Sequence, residues 1–217
     1  TQRLGYHAAI LDADITGPSI PKIFGINKPA EAVDNSLLPH VTESGVKIMS
    51  MNMLLPNATD PVLWRGPVIS GVVKQFWEDV QWGDVDFLFV DMPPGTGDVP
   101  LTVFQSLPIN GILIVSTPQS LVSMIVDKAM NMAQMMQVPV LGMVENMRFL
   151  RCPDCGKEIP LFGSDDHVDN HTVPVLERIP LDPTVAAACD AGKLEQAEID
   201  YLAKTAVMLT ETFGKKQ

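Results

Sequence analysis

Two cysteines occur at C-x-x-C spacing in the segment 152–156, which reads CPDCG. At this spacing two thiolates can bind one metal ion, and the glycine permits a turn whose N–H groups face the sulfur atoms. Cys152 and Cys155 supply only two ligands, while Cys189 stands alone and is predicted to be a small buried core residue. Two copies of the chain related by a twofold axis would place four thiolates around one [4Fe-4S] cluster, so the pair predicts a homodimer that shares a cluster.

A zinc site within one chain is the competing interpretation. His167 and His171 follow Cys155 so that the pattern reads C-x2-C, eleven residues, then H-x3-H, which is close to zinc-finger spacing. The segment lacks the hydrophobic pattern of a ββα finger, which disfavours Zn2+. A redox-active cysteine pair is disfavoured too, because no helix is predicted directly after Cys152 to stabilise a thiolate.

Asp91 directly follows the apolar run Phe87–Val90. A carboxylate at the tip of a strand, the Walker B arrangement, can hold the water shell of a Mg2+ ion that carries nucleotide phosphates. The next residues read PPGTGD (93–98), which gives a stiff turn and then glycines whose N–H groups can approach a terminal phosphate. The alternative for this segment is a tight connection between strand and helix, with Asp98 as the helix cap.

Asp14 and Asn146 follow two other apolar runs. A second carboxylate at Asp14 could orient an attacking water or bind the metal ion, and the alternative is a turn-forming aspartate. The amide of Asn146 offers both a donor and an acceptor to a nucleobase edge, and the alternative is a turn asparagine. Because ligands bind outside the carboxyl ends of parallel strands, these residues are expected on one rim of the sheet.

The elements that must position these residues are short, nearly continuous apolar runs separated by segments of helical length. Strands that are apolar on both faces belong to a parallel sheet covered by helices. The sequence therefore predicts an α/β fold with a doubly wound, mostly parallel sheet and helices on both faces. The predicted strands are 8–11, 87–90, 112–115, 138–144 and 173–179; the predicted helices are 66–80 and 120–136, with a further stripe at helical spacing from 199 to 213.

The charge balance restricts the partners. Lys+Arg 15 against Asp+Glu 26 gives a net charge of -11, which repels phosphate backbones and anionic lipid, so we expect neither nucleic acid nor membrane as a partner. No apolar run reaches the ~18 residues of a membrane span, and the chain opens without a signal-peptide pattern. Three cysteines, two of them too close for a typical structural disulfide, indicate a reducing compartment, and we expect the cytoplasm.

Six segments of the sequence carry a family resemblance. They are Asp12–Pro21, Trp64–Pro67, Asp91–Asp98, Ser116–Gln119, Glu145–Met147 and Cys152–Gly156. Together they resemble the Mrp/ApbC family, which are P-loop ATPases of the MinD-like branch that carry and transfer iron-sulfur clusters. The resemblance covers most of the chain, and the string DMPPGTGD at 91–98 is its most specific part.

The resemblance implies an ATPase with a MinD-like P-loop NTPase fold that uses ATP and Mg2+. It implies that Asp14 is the switch I carboxylate near the hydrolytic water and that Asp91 is the switch II, Mg2+-associated aspartate. It further implies that Gly95 contacts the γ-phosphate and that Asn146 binds the adenine. A [4Fe-4S] cluster held by the cysteine pair of a homodimer would then pass to apo iron-sulfur proteins.

The sequence departs from the family at one motif. The Walker A loop, G-K-G-G-x-G-K-[ST], which supplies the phosphate cradle and its lysines, is absent from the sequence. The chain as it stands is therefore expected to bind ATP poorly or not at all. We predict one domain over residues 1–217 that lacks its N-terminal strand and phosphate loop, with a metal-knuckle insertion at 147–172.

The alternative function is that of a MinD/ParA-like positioning ATPase, a nucleotide-switched binding protein whose knuckle holds structural zinc. The acidic balance and the lack of a basic membrane helix disfavour it. A scaffold fragment without activity is the third possibility.

Overall fold

The computed structural model describes residues 1–15, 17–34, 36–55, 66–162 and 173–214. The chain divides into two compact units. The first contains Thr1–Leu107, Val185–Glu198 and Val207–Gln217, and the second contains Pro108–Thr184 and Ile199–Ala206. The expectation of one domain over residues 1–217 stays a prediction.

The helices and strands alternate along the chain. In the first half they are β1 (Ala8–Asp12), α1 (Ile20–Ile23), β2 (Glu31–Val33), β3 (Ser36–Leu38), β4 (His40–Val41), β5 (Lys47–Ser50), α2 (Gly66–Glu78), β6 (Phe87–Asp91) and α3 (Asp98–Ser106). In the second half they are β7 (Ile112–Ser116), α4 (Ser120–Met135), β8 (Val140–Glu145), β9 (Phe149–Arg151), β10 (Glu158–Pro160), β11 (Val175–Arg178), α5 (Pro183–Asp190) and α6 (Ala203–Phe213).

The sheet of the first unit has the strand order β4-β5-β1-β6. Strand β1 is parallel to both β5 and β6, and the short β4 is antiparallel to β5. Ala9 and Leu11 on one face of β1 are fully buried, and Ala8 and Asp12 on the opposite face are also buried, as expected of a central strand covered on both faces. On α2, Val73 and Phe76 lie one helical turn apart and are also buried, so the helix turns an apolar face to the core.

The second unit contains a three-stranded parallel sheet in the order β11-β8-β7. Val126 of α4 packs with Ile114 of β7 and Met143 of β8 in one apolar cluster. Strands β9 and β10 form a separate antiparallel hairpin, in which Arg151 pairs with Glu158.

The strongly apolar strands and helices lie where the sequence predicts them. All five predicted strands are present as β1, β6, β7, β8 and β11, and both predicted helices are present as α2 and α4. The strand β5 was not predicted, because Lys47 interrupts its short apolar run. The helix α3 was anticipated only in the alternative that gave Asp98 as a helix cap; Pro100 lies in its first turn, where proline is tolerated.

Two expectations near the C-terminus need correction. Helix α6 begins at Ala203, so the apolar residues Ile199 and Leu202 precede it. Cys189 is half-buried rather than a core residue, because α5 is a surface helix without a fully buried side chain. No helix in the described ranges is long and apolar enough to cross a membrane.

Candidate functional site

Three carboxylates gather at the carboxyl end of the first unit's sheet; Asp12, Asp14 and Asp91 are called the carboxylate cluster below. The parallel register places Asp12 of β1 directly beside Ser50 of β5 on one side and Asp91 of β6 on the other. After β1 ends, the chain stays beside β6 for one more residue, because the backbone N–H of Ala13 donates to the Asp91 carbonyl at 2.8 Å. Asp14 thereby stays next to Asp91, as the end-of-strand rule predicted.

Asp12 is the buried member of the carboxylate cluster, with none of its surface exposed. Its Oδ2 accepts hydrogen bonds from the Ser50 hydroxyl at 3.0 Å and from the Ile20 N–H at 3.3 Å. Its Oδ1 has no hydrogen-bond partner within the described part of the chain. Burial raises the pKa of Asp12 to about 6, with the nearby Asp91 charge adding to the rise and the Ser50 hydrogen bond opposing it.

Asp91 and Asp14 are more accessible. Desolvation raises the pKa of Asp91, and the negative charge of Asp14 raises it further. Asp14 Oδ1 accepts the Gly17 N–H at 3.1 Å, which closes a turn, so the turn-forming interpretation describes part of what this side chain does. The loop that follows is fixed at its far side, where Asn52 Nδ2 donates to the Pro18 carbonyl at 3.1 Å.

Gly95 occupies a turn between β6 and α3 with φ 94, a backbone conformation that favours glycine. A Cβ built on Gly95 would meet no atom within 4 Å, so open space borders its backbone. Gly97 is the N-cap of α3, and Asp98 is the first residue of that helix, which corrects the expectation that Asp98 caps it. Backbone N–H groups at such a helix start suit an anion.

The carboxylate oxygens of the carboxylate cluster are the kind of ligand that Mg2+ prefers. The Oδ1 atom of Asp12 has no hydrogen-bond donor in the described part of the chain, so it adds one more oxygen that could face a cation. Across the described residues, no group of three or more His, Cys, Asp or Glu side chains is arranged to hold a metal ion unaided. Asp14 and Asp91 would therefore hold Mg2+ together with waters and phosphate oxygens, which is the usual mode for this ion.

The second unit contains Asn146 and the cysteine pair. Asn146 follows β8, where its N–H donates to the Ser116 carbonyl at 2.7 Å. Its side-chain oxygen accepts the Met147 N–H at 2.9 Å, a turn contact that accompanies a positive φ of 54 at Met147. The same amide still carries two N–H donors, the groups with which an asparagine can bind a nucleobase edge.

A buried ion-pair group next to Asn146 was missed by the sequence analysis. Glu145 is 2% exposed and lies 3.8 Å from Arg148 and 3.0 Å from Arg178, measured from its Oε2 to the Nε atoms. Arg148 is itself buried, and its N–H donates to the Ile179 carbonyl at 2.9 Å. The ion pairs thus hold the end of β8 against the chain that enters the β9–β10 hairpin.

Cys152 and Cys155 lie at the tip of the β9–β10 hairpin, both with free thiols. The Cys152 N–H donates to the Lys157 carbonyl and the Gly156 N–H donates to the Cys152 carbonyl, each at 2.9 Å. Hydrogen bonds from the backbone of Cys155 and of Asp154 lower the pKa of the Cys152 thiol, with a smaller contribution from the Cys155 side chain. His167 and His171, on which the zinc interpretation depends, lie outside the described residues.

Comparisons with known proteins agree with this fold and these motifs. One similar structure is a nucleotide-binding protein from Archaeoglobus fulgidus, which was solved in complex with ADP and contains cobalt. It matches with a TM-score of 0.80 and 38% identity over 93% of this chain and 80% of that one. MinD in a MinC:MinD complex from Aquifex aeolicus matches with a TM-score of 0.61 at 15% identity, over 100% of this chain and 86% of that one. The fold is therefore the predicted α/β P-loop NTPase type.

Closer relatives define the family. The iron-sulfur cluster carrier protein of Clostridium perfringens is 43% identical over 203 residues, 88% of this chain and 71% of the relative. That of Methanocaldococcus jannaschii is 43% identical over 194 residues, 87% of this chain and 67% of the relative. The profile of the NUBPL iron-transfer P-loop NTPases (ParA) matches residues 1–212. The chain belongs to this family, and the resemblance found in the sequence is confirmed.

Proposed function

We propose that the protein is an ATP-dependent carrier that binds a [4Fe-4S] cluster between two copies of the chain and transfers it to apo iron-sulfur proteins. The observation that carries the proposal is the position of Cys152 and Cys155 together at a hairpin tip, where each chain supplies two thiols. Four thiolates complete the ligand set of such a cluster, and a second copy supplies the missing pair. The relatives named as iron-sulfur cluster carrier proteins support the cargo.

The first unit contains the residues proposed to bind the phosphates and Mg2+ of a nucleotide. Asp91, with Asp14 beside it, would hold the hydrated Mg2+ of ATP, Asp14 would orient the attacking water, and the Gly95 turn would approach the terminal phosphate. The adenine-binding role of Asn146, which lies in the second unit, stays a separate prediction that its amide N–H groups support. Hydrolysis is coupled to the cargo only if the cluster affinity differs between nucleotide states. Three free thiols suit a reducing compartment such as the cytoplasm.

Anaerobic reconstitution with iron and sulfide tests the cargo. We expect thiolate-bound iron absorbance, iron and sulfide in equal amounts, and a dimer that depends on the cluster. Cys152→Ser and Cys155→Ser should each abolish retention, while Cys189→Ser is the matched control that retains it. A colourless protein with one zinc per chain would refute the proposal and favour the positioning ATPase with a structural zinc knuckle, which the MinD-like fold permits.

The nucleotide part is tested on the chain joined to a Walker A segment, because the sequence itself contains no such loop. Cluster retention is compared between the apo, ADP-bound and ATP-analogue-bound forms, and the proposal predicts a difference. Asp14→Asn should lower ATP hydrolysis while nucleotide still binds, because the residue acts on water rather than on the base. Equal retention in all three states would refute the coupling and leave cluster binding as a separate result.

A further inference from the structure

The β9–β10 hairpin, which ends in the two cysteines, is a small element that needs support at its base. It pairs three residues of each strand, and all three residues of β10 are exposed. A two-stranded hairpin by itself is marginally stable at best in water, so this one depends on what its base contacts. The direction in which the hairpin points is therefore decided at its base rather than at its tip.

Arg148 is the residue at this base, directly before β9. Its backbone N–H donates to the Ile179 carbonyl at 2.9 Å, and its carbonyl accepts the N–H of Leu161, just after β10, at 3.3 Å. One residue further along β9, the Phe149 carbonyl accepts the Leu181 N–H at 2.8 Å. The backbone of Arg148 thus joins both ends of the hairpin to the segment that follows β11.

The side chain of Arg148 adds a buried ion pair to these backbone contacts. It lies 3.8 Å from Glu145, whose carboxylate is 2% exposed and also pairs with Arg178 at 3.0 Å. The other ion pair of the hairpin, Arg151 with Glu158, is exposed at both ends. Exposed ion pairs contribute little, whereas the loss of a buried partner is felt because the remaining charge is desolvated. The pair with Glu145 therefore fixes the base of the hairpin to the end of β8.

We propose, on the basis of the carrier function above, that Arg148 is a positioning residue for Cys152 and Cys155. Its buried pair with Glu145 holds the hairpin in the orientation from which two chains reach the same cluster. A cluster shared between two chains needs both hairpins to point at it at once, and any freedom at the base is lost on binding at a cost in affinity.

The two thiols of one chain need no such alignment. They lie on one turn that is closed by its own hydrogen bonds, from the Cys152 N–H to the Lys157 carbonyl and from the Gly156 N–H to the Cys152 carbonyl. Arg148 takes no part in this turn. Its role therefore concerns the sharing of a cluster between chains and not the formation of the thiol pair.

Arg148→Leu and Arg178→Leu are a matched pair of variants that tests this role. Both remove an arginine from the same Glu145 oxygen, but Arg148 lies at the base of the hairpin and Arg178 lies on β11. Each chain is reconstituted anaerobically with iron and sulfide, and the rate of iron release to an excess of chelator is measured. We expect Arg148→Leu to release iron about tenfold faster than the wild type, and Arg178→Leu to stay within about twofold of it.

The expected factor follows from the two hairpins that one cluster engages. Apparent affinity falls in proportion to the fraction of molecules in the competent state. A hairpin that points correctly about one-third of the time weakens the hold of its own chain about threefold, so two such hairpins weaken a shared cluster about tenfold. Differences in affinity between related complexes are found mainly in the rate of release.

Binding of phenylarsine oxide separates positioning from a general loss of structure. This arsenical bridges two thiols of one chain, so it reports on the cysteine turn without a second copy. Arg148→Leu should bind it as tightly as the wild type does while losing the cluster faster. Weaker binding in this variant would show that the turn itself depends on Arg148 and would overturn the inference.

Arg148→Lys tests the ion pair with a milder change, because it keeps a positive charge beside Glu145. It should release iron more slowly than Arg148→Leu, and equal rates in these two variants would overturn the role of the ion pair. Equal release from the wild type and Arg148→Leu, or the same acceleration in Arg148→Leu and Arg178→Leu, would overturn the inference and leave the carrier function standing. A wild-type chain that binds phenylarsine oxide but no cluster would refute the carrier function and the positioning role with it.

Discussion

Replacing Asp12 by asparagine should stabilise the protein at neutral pH. The side chain is fully buried, its Oδ1 lacks a partner in the described part of the chain, and its pKa is raised from 3.8 to about 6, chiefly by burial. Each unit of pKa shift corresponds to about 1.4 kcal/mol, so the ionised carboxylate costs the folded state about 3 kcal/mol. Asparagine keeps an oxygen for Ser50 and Ile20 and carries no charge.

The sign of the pH dependence follows from the direction of this shift. Because the folded protein holds the Asp12 proton more tightly than the unfolded chain does, this group favours folding below about pH 4. That contribution is lost as the pH rises through about 6. Asp12→Asn should therefore match the wild type near pH 4 and exceed its unfolding free energy by about 3 kcal/mol above pH 7.

Urea unfolding of both proteins across this pH range measures the difference directly, and the effects of titrating groups that do not interact with Asp12 cancel. In thermal melts the same change corresponds to a rise in midpoint of about 6 to 12 °C for a chain of this size. Glu43→Gln is the matched control, since it removes a negative charge from an exposed position of the same unit. A stability difference that stays constant with pH, or an asparagine variant less stable at pH 7, would refute the reasoning.

Three further predictions concern the same sites. Gly95→Ala should lower the unfolding free energy by about 1 to 2 kcal/mol in urea titration because φ 94 strains an L side chain. Gly97→Ala should cost less, about 0.5 kcal/mol, because Gly97 has a negative φ and loses only the N-cap preference for glycine. Arg148→Leu should cost about 1 to 2 kcal/mol, measured in the same way, because it removes one of the two arginines that pair with the buried Glu145 while Arg178 stays in place; an unchanged unfolding free energy would contradict this. On the chain joined to a Walker A segment, millimolar Mg2+ should raise the melting midpoint more with ADP present than without it, because Asp14 and Asp91 need phosphate oxygens to hold the ion. An equal effect of NaCl at matched ionic strength would contradict a specific cation effect.

The sequence predicted the exposed half of the carboxylate cluster and missed the buried half. Asp91 was found because it directly follows an apolar run, and Asp14 because it lies in the loop after another. Asp12 also follows that second run directly, but nothing in the sequence shows that it is buried. The burial of Asp12 depends on its register with Ser50. Ser50 lies in β5, a strand that was not predicted because Lys47 interrupts its apolar run. Register between strands separated by tens of residues is set by packing, and no local pattern encodes it.

The burial of Glu145 was missed for a different reason. A glutamate at the end of a strand is usually solvated, and only the approach of Arg178 from β11 and of Arg148 from the following turn makes its burial tolerable. The alternation of charged and apolar residues in this segment gave no sign of it. Glu145 and Arg178 are 33 residues apart in the sequence, so their pairing is visible only in the folded structure.

The cysteine pair was predictable because its chemistry is local, but the difference between its two thiols was not. C-x-x-C spacing and a following glycine already place two sulfur atoms on one turn. Which cysteine is hydrogen-bonded through its backbone depends on where the hairpin's last hydrogen bonds fall, and that follows from the pairing of Arg151 with Glu158. This register puts the backbone of Cys152 within the hydrogen-bonded part of the hairpin and leaves that of Cys155 beyond it. Strand register is set by packing and not by the C-x-x-C motif, so the sequence could not show this difference.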